Sequence, residues 1–346
     1  MGESFTLLAA VVVLALLFDY INGFHDTANA IATVVSTGVL PPRTAVLLAA
    51  CFNFGGAFFI GQGGVAETIG KDITDPASIT QAVVIAALGG AIIWNLITWY
   101  FGIPSSSSHA LVGGLLGAVL CHRVLDQQQE FSGTFLTLVT SPGVIKVVEA
   151  LVLSPIIGLL MGFIIMTVLL FFTRRAAPYK VNRLFRRLQI FSSCFLALSH
   201  GSNDAQKTMG VITMALIGYY GKSAGHAEWA IPTWVIVACA AAMALGTSAG
   251  GWRIMKTMGH KIIKLKPING FAAESAGSIV ILAATHLHAP VSTTHVISSA
   301  IMGVGASNRV SAVRWGIAGN IFMAWVLTIP VSALVAALCY LGIRAL

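Results

Sequence analysis

Residues 200–208 read HGSNDAQKT and interrupt a stretch of the chain that is otherwise apolar. The segment LQIFSSCFLALS precedes this motif and MGVITMALIGYY follows it, so both flanks could lie in a bilayer. An ionisable side chain in the middle of a membrane span costs at least about 2.5 kcal/mol on insertion scales. We therefore expect a functional role for the polar residues of this motif, which are His200, Asn203, Asp204, Gln206 and Lys207.

The composition excludes an ordinary soluble protein. Of the 346 residues, 57% are hydrophobic and 9% are charged, whereas soluble domains carry roughly a quarter charged residues. We predict an all-α polytopic membrane protein whose main environment is the lipid bilayer. The net charge of +8 follows membrane topology and does not indicate nucleic acid. The five cysteines lack metal-ligand spacing, and no nucleotide-binding or catalytic motif appears, so we predict no cofactor, no metal centre and no enzyme.

The apolar runs indicate about ten transmembrane segments in two sets of five, since a span needs roughly 20 residues. In each set the first run is too long for a simple span, and Gly23 and Gly201 are candidate break points. The fourth run is short and begins with Pro and hydroxyl residues. We predict broken or re-entrant helices here, at the substrate site. The runs are 5–38, 43–62, 80–101, 104–121 and 143–172, then 188–220, 231–250, 268–288, 290–305 and 313–343.

Three pairs of segments recur in the same order and indicate an internal repeat. INGFHDTANA (21–30) aligns with SHGSNDAQKT (199–208), which pairs Asn22 with His200, Asp26 with Asp204 and Asn29 with Lys207. ETIGKDI (67–73) aligns with KTMGHKI (256–262), and PSSSSH (104–109) aligns with PVSTTH (290–295). The predicted organisation is a first transmembrane repeat at 1–172, a basic cytoplasmic linker at 173–187 and a second repeat at 188–346.

The distribution of Lys and Arg predicts the orientation. With the N-terminus outside, the inside loops hold 14 of the 20 Lys and Arg residues and no Asp or Glu, as the positive-inside rule requires. Because the matched loops around Glu67 and Lys256 then face opposite sides, the repeat is inverted, as in many secondary transporters. The basic residues are Arg43, Arg174, Arg175, Lys180, Arg183, Arg186, Arg187, Arg253, Lys256, Lys261, Lys264, Lys266, Arg309 and Arg314. The acidic outside residues are Glu67, Asp72, Asp75, Asp126, Glu130 and Glu228.

Two pairs of polar constellations carry the expected chemistry. In PSSSSH and PVSTTH, a Pro and hydroxyl residues precede a helix start, where free backbone N–H groups and the helix dipole favour an anion. Ordinary helix capping is the simpler alternative. Asp26 and Asp204 occupy equivalent repeat positions and could bind a cation or a proton. Lys207 is either a ligand or a counter-ion for Asp204, and His25 and His200 could simply satisfy local backbone groups.

Three further carboxylates lie within or near the apolar runs. Glu274 is either a proton or cation ligand or an interfacial carboxylate, and the residues favour neither. Asp19 and Glu149 are expected to be interfacial.

At these motifs the chain resembles the inorganic phosphate transporter (PiT) family, and its bacterial low-affinity members most closely. The family's first motif stands here as GFHD and GSND, and its later motif as PSSSSH and PVSTTH. WNLITWYFGIPSSSSHALVGG adds to the likeness. Two positions depart from it: His25 stands where the second half has Asn203, and Asn53 stands where many relatives have Glu.

The resemblance implies uptake of inorganic phosphate, free or as a metal–phosphate complex, by symport with H⁺ or Na⁺. It implies a multi-pass protein of the bacterial inner (plasma) membrane that could form a homodimer. The expected phosphate-binding residues are Ser106, Ser107, Ser108, Ser292, Thr293, Thr294, Asn29 and Lys207. The expected cation-coupling residues are Asp26, Asp204, Asn22, His25, Asn203 and Glu274, and the helix-start residues are His109 and His295.

Two other functions are weighed against this one. A cation/H⁺ exchanger would use the Asp pair, with the hydroxyl motifs serving only as helix caps, but it has no need of two anion-binding helix starts. An anion channel is disfavoured because paired buried carboxylates would oppose a freely conducted anion.

The orientation makes a direct prediction for chemical labelling. In a cysteine-free background, single cysteines at positions 75 and 260 should react with impermeant probes from opposite sides of the membrane, because residues 62–79 are expected outside and 252–267 inside. Reaction of both positions from the same side would show that the repeat is not inverted.

Overall fold

The computed structural model describes residues 5–61, 63–73, 79–224 and 230–345, and within these ranges all regular structure is helical. The prediction of an all-α chain is therefore confirmed for the described residues. Asp75 and Glu228, both expected in outside loops, lie outside these ranges. The α-helices are α1 Phe5–Ser36, α2 Pro42–Phe59, α3 Gly64–Glu67, α4 Gln81–Phe101, α5 Ser107–Leu125, α6 Phe131–Val139, α7 Pro142–Thr173, α8 Pro178–Ala224, α9 Thr233–Ala249, α10 Trp252–Lys256, α11 Pro267–His286, α12 Thr293–Asn308 and α13 Trp315–Arg344.

Each of the ten predicted apolar runs contains one long helix, and seven of these helices are long and apolar enough to cross a membrane. An eighth span results if α9 and the segment Trp252–Lys261, which meet at 59°, are counted together. α12 has only 16 residues, or about 24 Å at 1.5 Å per residue, less than the roughly 30 Å of hydrocarbon. α8 carries the HGSNDAQKT motif in mid-helix and is also not among the seven. The chain is thus a multi-pass membrane protein.

The expected helix breaks at Gly23 and Gly201 are wrong, because α1 and α8 each run through their glycine without interruption. Both glycines instead allow close contact between helices. A Cβ atom at Gly23 would lie 2.4 Å from the carbonyl oxygen of Met243, and one at Gly201 would lie 2.2 Å from that of Asn53. α1 and α8 are therefore packed closely against α9 and α2 at these two glycines.

Irregular backbone occurs at two matched places in the two halves. α4 ends at Gly102, which has a left-handed φ of 65°, and extended backbone then leads to the start of α5 at Ser107. In the connection from α11 to α12, Pro290, Val291 and Ser292 hold the equivalent place before the start of α12 at Thr293. The aligned segments ETIGKDI and KTMGHKI each contain a π-helical turn, Thr68–Asp72 and Thr257–Lys261. Such turns are rare and often lie at functional sites.

The two halves of the chain are interleaved. α1 packs against α9, and α8 packs against α2, so each motif helix rests on a helix of the other half. In the same way α5 packs against α13, and α12 packs against α7. Residues 178–187, which belong to the predicted basic linker, form the first turns of α8. This interleaving places the matched motifs of the two halves against one another near the centre of the protein.

The close contacts at the two motif glycines predict a loss of stability on substitution. Gly201→Ala should destabilise the protein by about 1–3 kcal/mol, because its methyl group must displace the α2 backbone. Thermal unfolding in detergent, followed by tryptophan fluorescence, measures this loss. Gly319→Ala is the matched control, since no atom lies within 4 Å of its added Cβ. Equal melting temperatures for the two variants would contradict the packing role.

Candidate functional site

The first turns of α5 and α12 begin inside the protein and have the same local geometry. The hydroxyl of Ser106 accepts a hydrogen bond from the backbone N–H of His109 at 3.2 Å. The hydroxyl of Ser292 accepts one from the backbone N–H of His295, also at 3.2 Å. All hydroxyl residues of both motifs are buried. Ser106 and Ser292 are therefore helix caps, and the hydroxyl groups that follow them are free for other roles.

The two helix starts meet each other. The imidazole rings of His109 and His295 lie 4.8 Å apart, and His295 stacks on Trp325 of α13 at 3.9 Å. The indole N–H of Trp325 donates to the carbonyl of Pro104 at 3.2 Å. One side chain of α13 thus contacts both motifs and fixes their separation.

Asp26 lies beside both helix starts and is only 3% exposed. Ser107 donates a hydrogen bond to one carboxylate oxygen at 3.1 Å, and Thr294 donates to the other at 3.3 Å. His25 Nδ1 lies 2.7 Å from Asp26 Oδ1, and the other ring nitrogen lies 3.1 Å from the Thr98 hydroxyl. The charge of Asp26 is therefore met by hydroxyl groups and one imidazole.

Asp204 occupies the equivalent place in the second half and is also buried. Thr293 donates to its Oδ2 at 3.1 Å, which matches the contact between Ser107 and Asp26. His200 Nε2 lies 3.1 Å from the same oxygen. The ammonium of Lys207 forms an ion pair with Oδ1, and among the described residues no lysine forms an ion pair with Asp26.

Asn29 and Lys207, which align in the repeat, each reach across to the opposite helix start. The amide of Asn29 donates to Thr294 at 2.9 Å and to Thr293 at 3.3 Å. Lys207 donates to the hydroxyl of Ser108, the residue that aligns with Thr294. The structure thus brings together Asp26, Asn29, Asp204 and Lys207 with the hydroxyl groups of both motifs.

This arrangement can bind ions of both signs. The first backbone N–H groups of a helix have no partner within the helix and the dipole is positive there, so two facing helix starts favour an anion. Atoms of Asp26, His200 and Asp204 lie within 4.8 Å of one another and could hold a cation. The closeness of two buried carboxylates makes a neutralising cation or proton favourable.

The remaining predicted residues lie near this centre but differ in their contacts. Asn203 donates to the Thr285 hydroxyl at 2.9 Å, which parallels the contact between His25 and Thr98. Asn22 is buried, and its amide oxygen has no hydrogen-bond partner. Glu274 forms a separate buried cluster, where it accepts hydrogen bonds from Thr33, Gln189 and Ser192. It is therefore not interfacial.

The structure corrects the expectation for Asp19 and adds residues that sequence reasoning missed. Asp19 is fully buried, two helical turns before Asp26. The position of Asp19 on the stripe that holds Asn22 and Asp26 was a usable signal for burial. Thr98, Thr33, Gln189 and Ser192 are further partners of site residues, and no motif identifies them.

Known proteins resemble this chain along nearly its whole length. The model of a phosphate transporter family matches residues 22–180 and 173–336. A probable low-affinity inorganic phosphate transporter of Rhizobium meliloti is 50% identical over 97% of this chain and 96% of its own length. A protein of the same description from Bacillus subtilis is 51% identical over 95% of both chains.

A solved structure described as a sodium-dependent phosphate transporter has the same fold. It superimposes with a TM-score of 0.81 and 24% identity, covering 99% of this chain and 100% of its own. The resemblance inferred from the paired motifs is therefore confirmed, and so is the prediction of a transporter and not an enzyme. The chain belongs to the phosphate transporter family.

Proposed function

We propose that this protein imports inorganic phosphate by symport with H⁺ or Na⁺. The observation that carries the proposal is the meeting of two capped helix starts with two buried carboxylates at one centre. An anion-binding element and a cation-binding element share the same hydroxyl groups there. Occupation of one element must then change the affinity of the other.

Phosphate would be held by hydroxyl groups, helix N-termini, the Asn29 amide and the Lys207 ammonium. Neither hydroxyl motif contains an arginine, so these motifs would bind phosphate without the bidentate guanidinium contact that many phosphate sites use. Hydrogen bonds to a charged partner are each worth about 1.5–3 kcal/mol, and several converge here. Ser107, Ser108, Thr293 and Thr294 already donate or accept within the cluster, so their hydroxyl groups would exchange these partners for phosphate oxygens.

Coupling follows from electrostatics at the same centre. A bare Asp26 carboxylate next to the helix starts repels the anion, and the weak screening of a buried site makes this repulsion strong. A cation or proton on the carboxylate removes the repulsion, so phosphate binds well only after neutralisation. The reciprocal effect is that bound phosphate favours cation binding by the same factor.

The proposed architecture is ten segments in two inverted repeats of five, with alternating access by movement of one repeat against the other. The matched caps, π turns and cross-half contacts support it. We further propose a location in the bacterial inner membrane, in keeping with the bacterial relatives. The motif resemblance is also compatible with transport of a metal–phosphate complex and with a homodimeric state. The exchanger alternative is not favoured, since the relatives are described as phosphate transporters.

Removal of a single hydroxyl group should weaken phosphate binding without unfolding the protein. Ser107→Ala and Thr293→Val occupy equivalent positions and should each lower affinity roughly ten- to a hundred-fold, as loss of a charge-assisted hydrogen bond predicts. Equilibrium binding of radiolabelled phosphate to purified protein measures the change, with arsenate as a competitor. Equal affinity in wild type and both variants would show that these hydroxyl groups serve the helices alone.

Substitution of either central carboxylate should impair coupled uptake. Asp26→Asn removes the full charge offered to a cation or proton, and Asp204→Asn removes the charged partner of the Lys207 ammonium, so gradient-driven phosphate uptake should fall at least about ten-fold in each variant. Proteoliposomes with pH and Na⁺ gradients set separately measure the effect and also identify the coupling ion. Glu149→Gln, which alters an exposed carboxylate, is the control. Near-normal uptake in both Asp variants would refute a coupling role.

A further inference from the structure

We propose that Lys207 fills a monovalent cation site with its own side chain, so that one of two equivalent coupling sites is permanently occupied. The inference rests on the proposed function, because it assigns unequal roles to Asp26 and Asp204 in the same transport cycle. Asp26 exchanges a mobile cation or proton with the solution. Asp204 is neutralised by a cation that never leaves.

The groups around the Lys207 ammonium have the chemistry of a cation site. Lys207 is 1% exposed, and its Nζ donates to the carboxylate of Asp204, the hydroxyl of Ser108 and the carbonyl of Val291, the last at 3.0 Å. All three partners are oxygen atoms of different kinds, a carboxylate, a hydroxyl and a backbone carbonyl. Such a set is what hard metal cations prefer in proteins. The ammonium therefore occupies a cage that also suits a sodium ion.

The two halves of the chain differ at the position of this lysine. The residue that aligns with Lys207 is Asn29, whose amide binds Thr294, the counterpart of Ser108. Asn29 and Lys207 thus occupy matched positions and extend toward matched hydroxyl groups, but only Lys207 carries a charge. Around Asp26 the donors are Ser107, Thr294 and His25. The first half therefore has a carboxylate without a fixed cation in the place where the second half has an ion pair.

The buried charge of Asp204 needs a partner of opposite sign. A buried carboxylate is strongly unfavourable unless a positive charge or a proton accompanies it. The Lys207 ammonium donates three hydrogen bonds that hold it beside the Asp204 carboxylate. Asp204 consequently has its counter-charge in every state of the cycle that keeps these contacts. Only the first half needs an ion from solution, so the number of coupling cations per phosphate should be one fewer than in a chain with an amide at both positions.

Replacement of Lys207 by the residue of the first half tests this directly. Lys207→Asn should bind one more sodium ion per chain than wild type in equilibrium binding of ²²Na⁺. Its phosphate affinity should rise about five- to 150-fold when choline is replaced by sodium at constant ionic strength, the usual range of coupling between two sites. Lys207→Gln is the second neutral variant. An unchanged sodium count in a folded neutral variant would overturn the proposal.

Two matched controls separate the site from a general effect of charge. Lys207→Arg keeps the positive charge and should retain the wild-type sodium count. The double variant Asp204→Asn/Lys207→Asn removes the carboxylate together with the ammonium, so the additional sodium site should disappear again. An additional sodium ion in the double variant would place the site away from Asp204 and refute the assignment.

A measurement with Lys207 in place keeps the test independent of the folding of its variants. If Asp204 is permanently neutralised, Asp26→Asn alone should abolish the dependence of phosphate binding on sodium at constant pH. Persistent cation dependence in that variant would contradict the proposal. Failure of the wild type to bind phosphate would instead refute the proposed function, while the sodium count of the Lys207 variants would still decide whether the cage is a cation site.

Discussion

The burial of two carboxylates at the centre of a membrane protein is the constraint on which the rest of this structure depends. Asp26 and Asp204 are almost fully enclosed, and an isolated charge in such surroundings is strongly unfavourable. Each polar element near the centre satisfies part of this demand. Ser107 and Thr294 donate to Asp26, and Thr293 and Lys207 donate to Asp204. The same donors are the groups that can hold phosphate, so the cost of buried charge links the two kinds of ion.

The helix starts of α5 and α12 impose a second demand of opposite sign. A buried helix terminus leaves backbone N–H groups without partners, and its dipole presents positive charge. Ser106 and Ser292 satisfy one N–H group each, and the first turn of a helix offers further N–H groups that an anion can accept from. Two weakly positive termini and two carboxylates thus balance one another when no phosphate is bound. In the proposed transport cycle, phosphate would disturb this balance and a cation or proton at Asp26 would restore it.

Much of this arrangement was predictable from residue patterns. Each of the ten apolar runs proved to contain a long helix, and the carboxylates that the repeat aligns, Asp26 and Asp204, accept matching hydrogen bonds from Ser107 and Thr293. The errors concern the continuity of the helices at the two glycines and the burial of Asp19. Gly23 and Gly201 resembled helix breaks, but they serve close packing against carbonyl groups of neighbouring helices. Asp19 resembled an interfacial residue, but α8 and α9 cover it. Neither outcome can be read from one segment, since both depend on the helix packed opposite.

By itself, the sequence determined the class of protein, the internal repeat and the chemistry of the two motif pairs, because hydrophobicity, helix-start signals and matched spacing are local properties of the chain. Only the tertiary structure decided which half supplies the partners of each charge. Asn29 reaches Thr294, and Lys207 reaches Ser108, across the boundary between the halves. Those contacts follow from the interleaving of α1 with α9 and of α8 with α2. Packing between distant segments fixes that geometry, and no local pattern encodes it.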